Sequence, residues 1–389
     1  MPSKRLLALE EVKDTAAIAV GVKMNSSRPL SRKAILTFML FLVLGFCFST
    51  ISVNTYRTFI KKSVIAEAPS TYQPSFEEAS SIESWIRTQS GLRHAMNDTE
   101  LFWRASFSPR IKHYPFKRVG KIAFMFLAKG PLPLAPLWQK FFDGHEGHYS
   151  IYIHSTPSYV SSFPPTSVFY NRQIPSQLVE WGQMSMCDAE RRLLANALLD
   201  ISNEWFVLVS ESCIPLRNFT IVYRYISRSK YSFMGSFDEH GPNGRLRYNR
   251  SMEPEVTLPQ WRKGAQWFEV NRRLAVLIVE DIKYYYKFKK FCKRDCYVDE
   301  HYFPTMLTIK VPHLLANRTL TRVDWSRRGP HPATFGKGDI TQELFKKIFE
   351  REICLYNKQP STVCFLFARK FAPSSLDPLL ELSSKVLGF

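Results

Sequence analysis

No Asp-x-Asp triplet occurs in the 389 residues, which excludes the most compact paired-carboxylate grip on a divalent cation. Asp238-Glu239-His240 offers an Asp-x-His that could replace it, although a carboxylate beside an imidazole is also an ordinary solvated loop, the simpler reading. Cys292 and Cys296 have no second Cys or His pair at suitable spacing, so a structural zinc site is excluded as well. No internal repeat is present, which rules out an array. Acidic residues are few: 34 Asp and Glu stand against 53 Lys and Arg, a formal net charge of +19. That excess suits a polyanion or a membrane surface, and most of it reads as a solvated face.

Charge is missing altogether from residues 34–53, AILTFMLFLVLGFCFSTISV, a run long enough to cross a bilayer as a helix. A cleaved signal peptide is the competing reading. The run follows a polar tail, residues 1–33, and its apolar core is longer than a signal peptide usually carries. Lys4, Arg5, Lys13, Lys23, Arg28, Arg32 and Lys33 precede it and favour a cytosolic N-terminus, against which Arg57, Lys61 and Lys62 follow closely. The expectation is a cytosolic tail, a transmembrane signal-anchor at 34–53 and a lumenal remainder, which removes nucleic acid as a partner. Asn97, Asn218, Asn249 and Asn317 each open an Asn-x-Ser/Thr triplet on the lumenal side, as glycosylation acceptors would. Cys47 lies in the anchor, whereas Cys187, Cys213, Cys292, Cys296, Cys354 and Cys364 lie beyond it. They allow up to three disulfides, with a buried thiol as the alternative at each.

With 45% hydrophobic and 14% aromatic residues, the lumenal part can bury a large core as one domain. Residues 54–117, including PSTYQPSFEEASS, are polar and aperiodic and read as a stem. From Lys121 short apolar strands, KIAFMFLA, HYSIYIHS, SVFYN and EWFVLVSES, are expected to alternate with amphipathic helices, PLAPLWQKFFDG and DAERRLLANALLDI. Leu194, Ala197, Leu198 and Ile201 are expected on one helical face. The alternation predicts an α/β head over 118–345 built on a largely parallel sheet, with a C-terminal extension, 346–389, packing on it. Ligands of such sheets sit beyond the carboxyl ends of the strands, which points to the turns after Ala128, Ser155, Ser210 and Phe237.

Chemistry concentrates between Tyr297 and Asp339. Adjacent carboxylates, Asp299 and Glu300, precede Arg318, Arg322, Arg327, Arg328 and Lys337. A base followed by cationic anchors suits the displacement of a sugar from a nucleotide diphosphate. Pro304 would interrupt a helix that started at Asp299, so the helix is expected at Asp299 or nearer Pro304, the latter leaving Glu300 on the preceding loop. Without further support, Asp299 reads as an N-cap and Glu300 as a surface charge.

The blocks VEWGQMSMCDAERRLLANALLD, WFVLVSESCIPLRNFTIVYRYI, YVDEHYFPTML and TRVDWSRRGPHPATFGKGD resemble the core-2/I-branching β-1,6-N-acetylglucosaminyltransferase family, specifically its plant branch. The resemblance spans roughly 118–345. It implies a GT-A-like, nucleotide-sugar-binding sandwich behind a type II Golgi anchor, with inverting, metal-independent transfer from a UDP-sugar donor to a glycan or glycoprotein acceptor. It also implies Glu300 as the base, and Arg318 and Lys337 as the groups that hold the diphosphate. Arg322 competes with Arg318, and Lys337 is matched through the family's Phe-x-x-Lys segment. N-acetylglucosamine as the sugar rests on the resemblance alone.

Trp181, Trp261, Trp267 and Trp325 are the tryptophans expected to border a sugar cleft, together with Asp299 and Glu211, and the aperiodic loop from Phe237 to Arg262 is assigned to the acceptor. A lumenal sulfotransferase is the rival enzyme, resting on Lys129 and Gly130 in FMFLAKGPLPLAPLW, where no Ser or Thr follows and prolines crowd the turn. A catalytically silent glycan-binding protein is the rival from another class.

Overall fold

The computed structural model describes residues 31–65, 92–107, 115, 118–327, 329, 331–350 and 352–389. Arg327 falls within them, whereas Arg328 does not. The chain divides into two units, with the first ending at Ser81. In the first unit α1, Arg32–Ile65, carries the uncharged run. Its segment Ile35–Arg57 has a mean hydropathy of 2.3, and among the described residues no other helix is long and apolar enough to cross a membrane. At about 1.5 Å per residue, that segment covers the roughly 30 Å of a hydrocarbon core.

The second unit is organised by a sheet of order β2-β1-β3-β5. Its strands are β1, Lys121–Leu127, β2, Tyr149–His154, β3, Asn203–Ser210, and β5, Glu269–Asn271. β1 pairs in parallel with both β2 and β3, and β5 runs antiparallel along β3. The short β4 is Ile214–Pro215. The sequence KIAFMFL explains the central position of β1, since a parallel strand buried on both faces reads as an unbroken apolar run. Ile122, Phe124 and Phe126 enter one core with Trp138, Phe141 and Phe142 of α3, Ala135–Phe142. Ala123, Met125 and Leu127 point the other way, into a core shared with α4, Met184–Leu198, and α6, Arg272–Val279. This is the mixed α/β architecture with a mostly parallel sheet that the alternation predicts.

Local expectations fare unevenly. Leu194, Ala197 and Leu198 are buried on α4, but Ile201 lies beyond its end and is partly exposed. SVFYN is a turn and not a strand. Phe169 is its buried plug, and the Val168 amide donates to the Gln139 side chain rather than to a ladder. The polar stretch assigned to the stem includes α2, Asp98–Ala105, which belongs to the head. Leu101 and Ala105 are in its core, and Asp98 accepts two 2.7 Å bonds from Arg192.

The C-terminal residues are woven into the head. β9, Phe367–Arg369, is the middle strand of a second sheet of order β4-β9-β6, with β6 at Thr321–Val323. Phe367, Phe371, Leu379 and Leu387 share the core of Phe124 and Trp138. Cys354 and Cys364 form a disulfide across the hairpin of β7, Cys354–Tyr356, and β8, Gln359–Ser361. Cys292 and Cys296 form another. Cys187 and Cys213 are buried thiols, so the six cysteines that follow α1 supply two bridges and not three.

Candidate active site

Glu300 is presented by a short turn with fixed ends. Upstream, α7, Lys283–Phe291, runs into the Cys292–Cys296 bridge, and Tyr297 takes a left-handed conformation with φ 53°. A 3-10 turn, Val298–Glu300, follows, and α8 occupies Tyr302–Lys310. Pro304 therefore falls in the first turn of α8, where a missing N–H costs nothing, and Glu300 sits on the segment before the helix. Its backbone carbonyl accepts from the Gly264 amide at 2.8 Å. Its Oε2 accepts from Lys263 Nζ at 2.6 Å and from Arg247 at 3.2 Å. The Glu300 side chain keeps 28% of its surface open to solvent, enough for a hydroxyl to reach it.

Packing beneath the turn fixes this geometry. Trp261 is buried, stacked between His301 at 4.5 Å and Phe288 at 5.4 Å, and donates its indole N–H to Gly244 O, which anchors the loop carrying Arg247. His301 donates from Nδ1 to Arg262 O at 2.8 Å. Burial pushes its pKa down to about 3, so the imidazole is neutral and the charge of the pocket comes from Glu300, Lys263 and Arg247. The open side is aromatic. The Trp181 ring lies 4.9 Å from Tyr297 and 5.4 Å from His331, and the Arg247 guanidinium lies 4.4 Å over Tyr297. Trp181 is 54% exposed and so has a face free for a sugar ring.

Asp299, beside Glu300 in the chain, is withdrawn from solvent. It is 5% exposed, it is not a helix cap, since Tyr297 and His301 hold those positions, and its Oδ1 has no hydrogen-bond partner among the described residues. Burial first, and the Glu300 charge second, raise its pKa to about 7. Glu190 is buried within its electrostatic reach and is pushed well above the usual carboxylate range by burial and by Asp299, while Gln266 donates to its Oε1 at 2.9 Å. Asp299, expected to line the cleft, is a buried acid next to the base and within electrostatic reach of Lys263 and Arg247. An unfolded aspartate titrates near 3.9, so between about pH 4 and pH 7 the folded chain holds the extra proton. Its stabilising contribution is present below pH 4 and is lost as pH rises towards 7. Asp299→Asn is expected to abolish that slope, about 1.4 kcal/mol per pH unit. Thermal melts of both proteins at pH 5, 6 and 7 check it, and parallel profiles would refute it.

A second group of charges stands at the carboxyl ends of the parallel strands. Lys129 follows β1 and Glu211 follows β3, and both lie within electrostatic reach of Lys370, which directly follows β9. Burial, then the neighbouring Arg369, lower the Lys370 pKa. Arg369 packs 4.2 Å over Trp267, its Nε is buried without a hydrogen-bond partner, and burial lowers its pKa. Backbone bonds hold this strand end in place, from Phe371 N to Ser212 O at 2.9 Å and from Phe335 N to Lys370 O at 2.8 Å. The two groups are joined by the chain. Lys263 touches Glu300 and Trp267 underlies Arg369, and four residue steps span at most about 14 Å.

The expected diphosphate ligands are distributed differently. Arg318 donates to Leu355 O, Cys364 O at 2.7 Å and Tyr225 Oη at 2.6 Å, and lies 4.8 Å over Phe233. It fastens the β7–β8 hairpin, and no hydrogen bond or ion pair among the described residues brings it to Glu300. Arg322 pairs with Glu352 at 3.2 Å. Lys337 is exposed in a 3-10 turn, Lys337–Asp339, and Arg327 pairs with Asp339 at 3.6 Å. Trp325 is exposed, while Trp267 is buried under Arg369. Asp238 is gripped by Arg245 at 2.7 Å through both oxygens, with His240 3.7 Å away. Among the described residues no three of His, Cys, Asp or Glu are grouped to hold a metal ion. Asn97, Asn249 and Asn317 are exposed and Asn218 is half-buried.

Sequence reasoning passed over Lys263, Arg247, Arg369 and Lys370. A signal for the last was available: FARK, Phe367–Lys370, has the Phe-x-x-Lys spacing, whereas Phe335-Gly336-Lys337 is one residue short of it.

A partly exposed carboxylate among cations, joined to a cationic cluster at the ends of a parallel sheet, equips an enzyme to move a group off an anionic donor, and the comparisons make that enzyme a glycosyltransferase. A protein named Glycosyltransferase BC10, from Oryza sativa subsp. japonica, is 38% identical over 310 residues, covering 68% of this chain and 77% of that protein. The Core-2/I-Branching enzyme model matches residues 122–349, and the chain belongs to that family. The sulfotransferase and silent-binding readings give way to this membership.

Proposed function

We propose that the chain is a single-pass type II Golgi enzyme with a GT-A-like lumenal head that transfers a sugar, N-acetylglucosamine by family, from a UDP-sugar to a glycan or glycoprotein hydroxyl with inversion and without a metal ion. The observation that carries the reading is Glu300, partly open to solvent and held by Arg247 and Lys263, the latter four residues before the Trp267 that packs under Arg369. Glu300 takes the proton of the acceptor hydroxyl as its oxygen attacks the anomeric carbon. The bond from that carbon to the diphosphate oxygen breaks, and the electron pair leaves with UDP. Lys129, Arg369 and Lys370 face the developing charge, three cations against the single acid Glu211, an excess that an anion would relieve. This puts fixed cations where other enzymes use a divalent ion. The anchor reading rests on the apolar segment of α1 and the cationic tail before it.

The test is a screen of the full chain in detergent against UDP-sugars with EDTA present, following donor hydrolysis and transfer. One UDP-sugar is expected to turn over with EDTA making no difference. Turnover of none would overturn the donor assignment, and activity lost to EDTA and restored by a divalent ion would overturn the metal-free mechanism.

A further inference from the structure

One surface beside the pocket is charged in a way the transfer chemistry does not use. Residues 283–294, KYYYKFKKFCKR, hold six cations and no acid. In α7 the inward positions are Tyr284 and Phe288, which packs on Trp261 and Tyr302. The helix therefore turns Lys283, Tyr286, Lys289 and Lys290 to solvent, and Lys293 continues the ridge beyond its end. Lys287 pairs with a carboxylate, Glu255 at 2.6 Å, which also lies within electrostatic reach of Lys283. The four other lysines meet rings or neutral oxygens: Lys283 the Tyr284 ring, Lys289 the Tyr285 ring, Lys290 the Phe291 ring, and Lys293 the Lys289 carbonyl at 3.0 Å. Among the described residues none of these four forms an ion pair.

Helix electrostatics explain part of this, because Lys289 and Lys290 sit in the last turn, where the dipole favours cations. They do not explain Lys283 in the first turn, nor lysines clustered on one face, where like charges repel. The ridge extends about 10 Å along the helix from Lys283 to Lys290. It does not stand apart from the reaction pocket: the Cys292–Cys296 bridge ties its end to the turn whose Tyr297 meets Trp181 and Arg247. Tyr286, 64% exposed among the lysines, adds an aromatic face of the kind that packs on sugar rings.

We propose that the acceptor is an anionic glycan, whose carboxylate or sulfate groups lie along Lys283, Lys289, Lys290 and Lys293 while its reacting hydroxyl reaches Glu300. The inference rests on the reading of Glu300 as the base of a glycan-modifying site. The ridge touches no reacting atom, so its role is to choose and hold the acceptor.

The experiment uses the full chain in detergent, a short oligogalacturonate as probe and its carboxyl-reduced counterpart as the neutral match. The charged oligomer is expected to bind about tenfold more tightly than the neutral one, with the difference shrinking at high salt and vanishing in a Lys289→Glu, Lys290→Glu, Lys293→Glu variant. A milder Lys283→Gln, Lys290→Gln variant, with melting temperature recorded, guards against misfolding. Equal binding of the two oligomers, or unchanged binding by folded ridge variants, would overturn the proposal. So would a ridge that, when reversed, loses only binding to phosphatidylserine vesicles, which would assign it to the membrane. Acceptor-free hydrolysis of the donor, expected to be the same in the variants, reports separately: its absence in the wild type counts against the UDP-sugar reading and leaves the binding result standing.

Discussion

Glu300→Gln is expected to lower kcat by about 10²–10⁴-fold, the usual contribution of a positioned base, while donor affinity stays within about twofold. The amide keeps the size of the side chain, and its oxygen can still accept from Lys263 and Arg247, which contact the native carboxylate at 2.6 Å and 3.2 Å. The turn also keeps its Gly264 bond, which uses the backbone of residue 300. What disappears is the capacity to take a proton. If Glu300 were merely the partner of two cations, the substitution would shift the melting temperature and spare turnover. Transfer rates at saturating donor and acceptor, set beside donor binding by calorimetry, separate the two. A variant with native kcat would remove Glu300 from the chemistry.

The parallel core was legible because burial on both faces writes itself as apolar runs: KIAFMFL, YSIYIH and NEWFVLVS became β1, β2 and β3. SVFYN misled for the same reason, since one buried aromatic, Phe169, can plug a turn as well as a strand. β9 was invisible as a strand, because three residues are too few to show a period, yet it is the strand that delivers Arg369 and Lys370. In the site, Glu300 could be found from its neighbour and its motif. Its partners could not. Arg247 and Lys263 are 53 and 37 residues away in the chain, the first within a loop without periodicity. Arg318 illustrates the opposite difficulty. A guanidinium that fastens backbone carbonyls and one that waits for phosphate are the same letter, and only its three bonds inside the fold tell them apart.

That difference makes Lys370→Ala the sharpest test of where the donor binds, with Arg318→Ala beside it. Lys370 stands at a strand end with Arg369 and Lys129 as neighbours and is partly withdrawn from water, which lowers its pKa. An ammonium in such a place interacts with a departing diphosphate more strongly than a solvated one, so its loss is expected to reduce kcat/KM for the donor by about 10²–10³-fold, the cost of deleting one preorganised donor at a developing charge. Melting should change little, since like-charge repulsion is relieved. Arg318→Ala should do the reverse. Freeing the part-buried Cys364 and Tyr225 oxygens it holds is expected to cost about 1–3 kcal/mol of stability, with kcat/KM within about twofold of wild type at temperatures where the variant stays folded. Denaturant melts and donor kinetics on both variants decide between the two placements. A stable Arg318→Ala protein that no longer uses the donor, beside a fully active Lys370→Ala, would move the diphosphate away from the strand ends and back to Arg318.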